Sequence, residues 1–274
     1  MRQLGPGLPP LKPAAWRVYV MTSPEWKQAA ECTRSRDGRI AEKFLRERVV
    51  DDMPDTWGQM PIADLRRRHL RAIIASMAGH PHAARRRLIV IRKMIGAALD
   101  EEWIDTDPSY KLKYRPPPTK GWRAWTWEER EAFEKRWPVG STPRLCYALA
   151  LWLGPRRKDV ASLEVSASRG DSIVFIASKN RHLVTGHITP MLREELDAAD
   201  LSGRTILKTA YGEPFSEKSL TGRMADWTRA AGLPPGCTLH GLRKTLGKLI
   251  SDAGGSTRQS MAALDHDDIK QAEL

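Results

Sequence analysis

Three consecutive prolines, Pro116-Pro117-Pro118, interrupt this 274-residue chain between Arg115 and Thr119-Lys120. Proline fixes φ and has no backbone N–H, so neither a helix interior nor a central strand can pass through the segment, and an extended, semi-rigid linker is its expected form. The chain is thereby constrained to fold as two units, each long enough for its own core. The expected boundaries are an irregular N-terminal segment at 1–38, a helical unit at 39–114, a basic linker at 115–123 and a larger unit at 124–274.

Charge bears on the partner. The formal net charge is +12, and between Pro61 and Trp125 there are 14 Lys+Arg against 6 Asp+Glu, an excess of 8. Lysine and arginine concentrated in one stretch gain affinity for nucleic acid by releasing its condensed counterions, so a polyanionic partner is expected, the alternative being a merely basic soluble protein. Cys32, Cys146 and Cys237 are isolated, with no Cys-x-x-Cys pair, which argues against a disulfide framework or a structural metal and for a reducing cytoplasm. No apolar run reaches the roughly 20 residues a bilayer requires, so no membrane role is expected.

Within the first unit, Gly5-Pro6-Gly7-Leu8-Pro9-Pro10 and Lys12-Pro13 argue against early helix, and Trp16-Arg17-Val18-Tyr19-Val20 reads as a short strand. Helices are expected through Ile40 to Val50, over Ala63 to Ala78 and over Ala83 to Leu99. The last has Leu88, Ile91, Ile95 and Leu99 at helical spacing, with Arg86 and Lys93 on roughly the opposite side. That outer face either meets phosphates or is a solvated charged surface. The candidate DNA-contacting residues are Arg66, Arg67, Arg85, Arg86 and Lys93, then Lys111, Lys113 and Lys120 along the linker, and Arg181 further on.

Beyond the linker, Thr126 is a candidate N-cap, with Glu128 and Glu129 in the first helical turn where carboxylates complement the positive helix end. Arg144 to Leu153 reads as a buried helix stopped by Gly154-Pro155. Ser172 to Ala177 and His187 to Pro190 read as two strands flanking a polar, basic turn, and helices fill most of the remainder.

Four motifs occur in order along this unit. They are Gly154-Pro155-Arg156-Arg157-Lys158-Asp159, the lysine at Lys179, Leu239-His240-Gly241-Leu242-Arg243-Lys244-Thr245, and Leu264-Asp265-His266. His240 and Arg243 lie three apart, so on a helix they share one face with β-carbons roughly 5–6 Å apart. The set resembles the catalytic constellation of the tyrosine recombinases, the phage-integrase family. Trp103 followed by Asp107-Pro108 before a basic linker is similar to that family as well. Pro155 stands where the family has a longer apolar residue, and Asp265 where it has glycine.

The resemblance implies a mainly α fold: an N-terminal helical core-binding (SAM-like) domain and a mostly helical catalytic domain with a small β-hairpin sheet. The two would form jaws around a duplex. It implies that Arg156 and Arg243 clamp the scissile phosphate, with Asp159 buttressing an arginine. Lys179 would protonate the leaving 5′ oxygen, with Arg181 competing for that assignment. His240 would donate to phosphate or shuttle a proton, and His266 would support the nucleophile. No cofactor or metal is implied, because a 3′-phosphotyrosine link conserves the bond energy. The activity implied is site-specific DNA recombination of the integration type, as carried by mobile elements of bacteria or phage, with self-association on DNA into a tetramer. The family's nucleophilic tyrosine comes shortly after the last histidine, a place that falls just past Leu274. The expectation is a chain that binds DNA without cutting it. The alternative is a naturally shortened, non-catalytic regulator of recombination.

Overall fold

The computed structural model describes residues 12–49, 55–119, 121–179 and 181–265. The chain divides into two compact units, Met1–Thr119 and Lys120–Leu274, at the end of the proline segment.

In the first unit the described chain begins as helix, not as irregular chain or strand. Helices α1 (Lys12–Thr22), α2 (Pro24–Gln28) and α3 (Glu31–Arg46) precede α4 (Arg67–Ser76) and α5 (Pro81–Asp100). Pro13 falls in the first turn of α1, where a missing N–H costs nothing, and Ala15 and Tyr19 recur at the i, i+4 spacing of a buried stripe. Ser23 then caps α2, its side chain accepting from the Trp26 N–H. Trp26 meets the rings of Trp16 and Tyr19 at 5.2 and 5.9 Å between centroids. These aromatic contacts, invisible to a period count, hold α1 and α2 together.

Helix α5 is the spine. Leu88, Ile91 and Ile95 are buried as their spacing predicts, with Leu99 partly buried, against a core that includes Phe44, Trp57, Leu70 and Ile73. A second internal stripe runs through Arg86, Val90, Lys93 and Ala97, facing α1 and α3. This corrects the expectation that Arg86 and Lys93 project outward. Asp37 of α3, with no exposed surface, accepts from the Arg86 Nη2 at 2.6 Å through Oδ2 and lies 3.4 Å from the Lys93 Nζ. Lys93 also pairs with Glu25 at 3.2 Å and stands over the Tyr19 ring at 5.1 Å. Arg87 is forked onto Glu47 by two hydrogen bonds.

The second unit opens with α6 (Trp127–Arg136), closed by a reciprocal capping box between Thr126 and Glu129. Helix α7 (Thr142–Ala148) runs directly into a π-helical turn, Leu149–Leu153, which ends at Gly154 in the left-handed conformation at φ 65°. Tyr147 is stacked 5.2 Å from Phe133 inside the core and its hydroxyl donates to Glu134 at 2.6 Å. Helix α8 (Arg157–Ser162) leads into an antiparallel sheet of β1 (Ser168–Arg169), β2 (Ser172–Ile176) and β3 (Leu183–His187). After the sheet come α9 (Pro190–Asp197), α10 (Glu217–Ala230), α11 (Leu239–Asp252) and α12 (Thr257–Ala263).

The third strand starts earlier than expected, at Leu183 and not His187. Leu183 pairs with Ile176 and Gly186 with Ile173, so the turn shrinks to 177–182. Gly186 lies against Leu153, where a β-carbon would stand 2.0 Å from Leu153 Cδ1. Ile188 is buried beyond the strand, and Thr189 is spent as the N-cap of α9.

Candidate phosphodiester-binding site

Four segments converge in the second unit. The stop at Gly154 turns the chain sharply into α8 and places Arg156 at that helix's N-cap position. Helix α11, capped by Thr238, carries His240 and Arg243 one turn apart. The C-terminal end of α12 contributes Leu264 and Asp265, and the sheet contributes Phe175, Ala177 and Val184. Together Arg156, Asp159, Arg243 and Asp265 line one small crevice, walled by Leu153, Pro155, Phe175 and Val184.

Arg243 is buried. Its guanidinium donates to the carbonyls of Gly154 and Leu264 and so ties the α7 terminus to the end of α12. Burial is the largest influence on it and the positive charge of Arg156 the next; together they bring its pKa down to about 10, still charged at neutral pH. Arg156 donates to the Asp265 carboxylate and, at 2.8 Å, to the Asp265 carbonyl. Asp265 has a left-handed backbone at φ 45°, the conformation for which glycine is the relaxed choice and aspartate a tolerated one. Its carboxylate also lies 3.9 Å from His182 Nδ1.

Asp159 is buried, and its Oδ1 accepts from the Ser178 backbone N–H at 2.9 Å. The carboxylate expected to buttress an arginine thus anchors the β2–β3 turn to α8, while also favouring the charged form of Arg243 electrostatically. Lys179 is the next residue in that turn and is exposed; Arg181, at φ 58°, is exposed two residues on. His266 lies outside the described residues.

His240 is held from outside by Trp122, whose ring meets it edge-to-face at 5.6 Å and 84°. The 123–125 strap is fixed to α11: Trp125 N–H donates to Thr245 Oγ1 at 2.8 Å, and its indole N–H donates to the Thr238 carbonyl at 3.1 Å. His240 keeps an exposed edge; partial desolvation first, then the charges of Arg243, Arg157 and Arg156, lower its pKa from the ordinary 6.5, against an opposing effect of Glu217. The imidazole is therefore neutral at neutral pH, with one nitrogen able to donate and the other to accept. Trp122→Ala is expected to raise the His240 titration midpoint towards 6.5, read by NMR of the imidazole carbons; an unmoved midpoint would show that Trp122 does not desolvate the ring. No motif signalled Trp122. Its only sequence cue is an aromatic residue at the end of the basic linker.

In the first unit, Lys111 and Lys113 line two adjoining grooves, one shared with Arg67 and Arg71, the other with Arg85, Arg92 and Arg115. Arg67 donates to the Tyr110 carbonyl at 2.9 Å and Arg92 to the Leu112 carbonyl at 2.5 Å, which fastens the 110–115 stretch of chain to α4 and α5. Arg66 is exposed at the N-cap of α4. Arg71, on the outer side of its helix, and Arg115, in the basic linker, join this surface as their positions in the sequence suggest; Arg92 joins it without having been singled out from sequence, whereas Arg86 and Lys93 are withdrawn from it. Lys120 lies outside the described residues.

No family model matches the sequence, and no curated protein matches it. Solved structures do. A lambda integrase dimer bound to a COC′ core site superposes with a TM-score of 0.75 at 18% identity, over 94% of this chain and 93% of that one. A lambda integrase tetramer bound to a Holliday junction gives 0.76 at 18% identity, over 96% and 79%. The Tn1549 transposon integrase in complex with a circular intermediate DNA gives 0.72 at 12% identity, over 94% and 93%. The chain has the fold of the tyrosine-recombinase integrases.

Proposed function

We propose that this chain is the DNA-engaging body of a site-specific recombinase of the tyrosine type. The observation that carries the reading is the crevice lined by Arg156 and Arg243, with His240 within electrostatic reach of both and the β2–β3 turn tied to the same crevice through Asp159, in a fold also seen in integrases bound to DNA. Strand exchange requires a phosphodiester to be held while charge builds on its non-bridging oxygens, a 5′ oxygen is expelled and a nucleophile attacks in line. Two guanidiniums within electrostatic reach of each other suit the first task, because both keep their charge; Arg243 acts from a buried place where its donors hold the Gly154 and Leu264 carbonyls, and Arg156 has the fork nearer the crevice. Neutral His240 supplies a hydrogen bond to the same phosphate without adding to the repulsion between the arginines. Lys179, on an exposed turn held by Asp159, is the proton donor for the leaving oxygen. His266 is assigned to support the nucleophile.

The nucleophile in this reading is a tyrosine hydroxyl forming a 3′-phosphotyrosine. Tyr147 is buried against Glu134 and Tyr211 lies on an exposed turn, so neither is assigned that role. The polypeptide 1–274 is expected to bind duplex DNA, through the Lys111–Arg115 surface and the arginine pair, and to form no covalent link. Binding as a tetramer across two recombining sites is proposed on the strength of the lambda integrase assembly on a Holliday junction.

The test is a nicked duplex that traps covalent intermediates, offered to the 1–274 chain with and without an added C-terminal tyrosine-bearing segment. A DNA–protein adduct only with the segment, lost again in Arg156→Ala, supports the recombinase. Tight binding with no adduct in either form would favour a regulator that occupies recombination sites. Absence of DNA binding would defeat the reading altogether.

A further inference from the structure

The crevice that would take the scissile phosphate already holds an anion belonging to the chain. Arg156 directs one guanidinium nitrogen at the Asp265 carboxylate and the other at the Asp265 carbonyl. One donor of the planar fork thus meets an acidic group and the other a neutral carbonyl of the same residue, whereas a phosphate could engage both. Both side chains are mostly shielded, at 15% and 14% exposure, so the pair sits in a setting where charges attract more strongly than on open surface. The aspartate also accepts a left-handed backbone in order to stand there, a conformation that glycine would adopt without strain. Arg243 holds the preceding residue in place through the Leu264 carbonyl, so the carboxylate is delivered by a constrained turn and not by a loose end.

We propose that Asp265 sets the affinity of this site for DNA: its carboxylate occupies the Arg156 guanidinium in the free protein, and a backbone phosphate binds there by exchange with it. The inference rests on the recombinase reading for the identity of the incoming anion. Exchange conserves the hydrogen bonds of Arg156 and requires only that the aspartate side chain rotate away, while the carbonyl contact keeps the guanidinium oriented. The free site then does not leave the Arg156 guanidinium without a countercharge, and nonspecific polyanions meet a competitor of high local concentration. A phosphate held firmly by the rest of the duplex interface displaces it.

The experiment is a double-mutant cycle on binding to a fluorescein-labelled DNA duplex, with wild type, Asp265→Asn, Arg156→Ala and the double variant. Asparagine keeps the size and tolerates the left-handed backbone. Asp265→Asn is expected to bind roughly tenfold more tightly, with a salt dependence steeper by about one phosphate contact, and to have no effect in the Arg156→Ala background. Should Asp265→Asn weaken binding, the aspartate supports Arg156 and does not compete for it, and the proposal fails. Equal tightening in both backgrounds would reduce the effect to removal of a repulsive charge and would also overturn it. Asp265→Gly, which relaxes the turn, repeats the comparison should the asparagine variant fold poorly. Failure of every protein, wild type included, to bind duplex DNA would sink the recombinase reading itself, an outcome distinct from the other two.

Discussion

Asp37→Ala is expected to lower the stability of the first unit by about 3–5 kcal/mol, the range found when one member of a buried charge network is removed. The loss exceeds the worth of the bonds themselves, because Arg86 remains between α3 and α5 with its countercharge gone and Lys93 keeps only the more exposed Glu25. Chemical unfolding followed by the tryptophans of the first unit would measure it; a change below about 1 kcal/mol would mean that water solvates the two cations where the network now stands. The pH dependence has a definite sign. Arg86, Arg36 and Lys93 outweigh the desolvation of Asp37 and lower its pKa from the ordinary 3.8. A carboxylate lowered in the folded state contributes stability that is fully present above its unfolded pKa. That contribution is lost as pH falls through the folded value. Acid unfolding of this unit is thus expected to begin below about pH 4, and the Asp37→Ala protein should show a flatter profile there.

Gly241→Ala should be nearly as damaging to the second unit. A β-carbon at this position would stand 2.7 Å from the Arg123 carbonyl oxygen and 2.9 Å from both Cδ1 and Nε1 of Trp125. The strap cannot easily retreat, since the Trp125 amide is hydrogen-bonded to Thr245 within α11 and its indole to the Thr238 carbonyl at the cap. Relief has to come from moving α11 away from the strap, at about 1–3 kcal/mol, and that movement carries His240 and Arg243 with it. The expected result is a lower unfolding midpoint together with weaker DNA binding. Gly222→Ala on α10 is the control: nothing lies within 4 Å of its β-carbon, and it should gain about 0.5–1 kcal/mol from helix propensity. If both glycines tolerate alanine equally, close packing is not what Gly241 provides.

Features that depend on residues near in sequence were legible in advance. The proline linker, the Thr126–Glu129 capping box, the Leu88-Ile91-Ile95 stripe and the His240–Arg243 spacing all arise from local geometry. Gly154, read only as a helix stop, also proves to be the pivot that aims Arg156. The misses share one cause, contacts between residues that are not sequence neighbours. Lys12-Pro13 looked like a barrier to helix, yet proline in a first turn is harmless, and the Trp16–Trp26 contact stabilises the α1–α2 pair. Arg86 and Lys93 looked external because their partner Asp37 lies 49 and 56 residues away. The start of β3 was misplaced because 183–186 pair with β2 as the other arm of the hairpin although that stretch, with Thr185 and Gly186, carries little apolar signal. Asp265 could be recognised as a departure from the integrase pattern, but the identity of its partner required the fold.

Helix α5 has no open side along Arg86, Val90, Lys93 and Ala97, and this bears on how such a protein can change its target. A new side chain on either internal stripe would disturb an ion network or a packed core, which leaves this helix only its outer side, with Arg85 and Arg92, for variation. Novelty is cheapest at 111–115, where Lys111, Lys113 and Arg115 are exposed, and along the outer residues of α4. Those positions can exchange charge and length at little structural cost, leaving the scaffold unchanged while its contacts diversify.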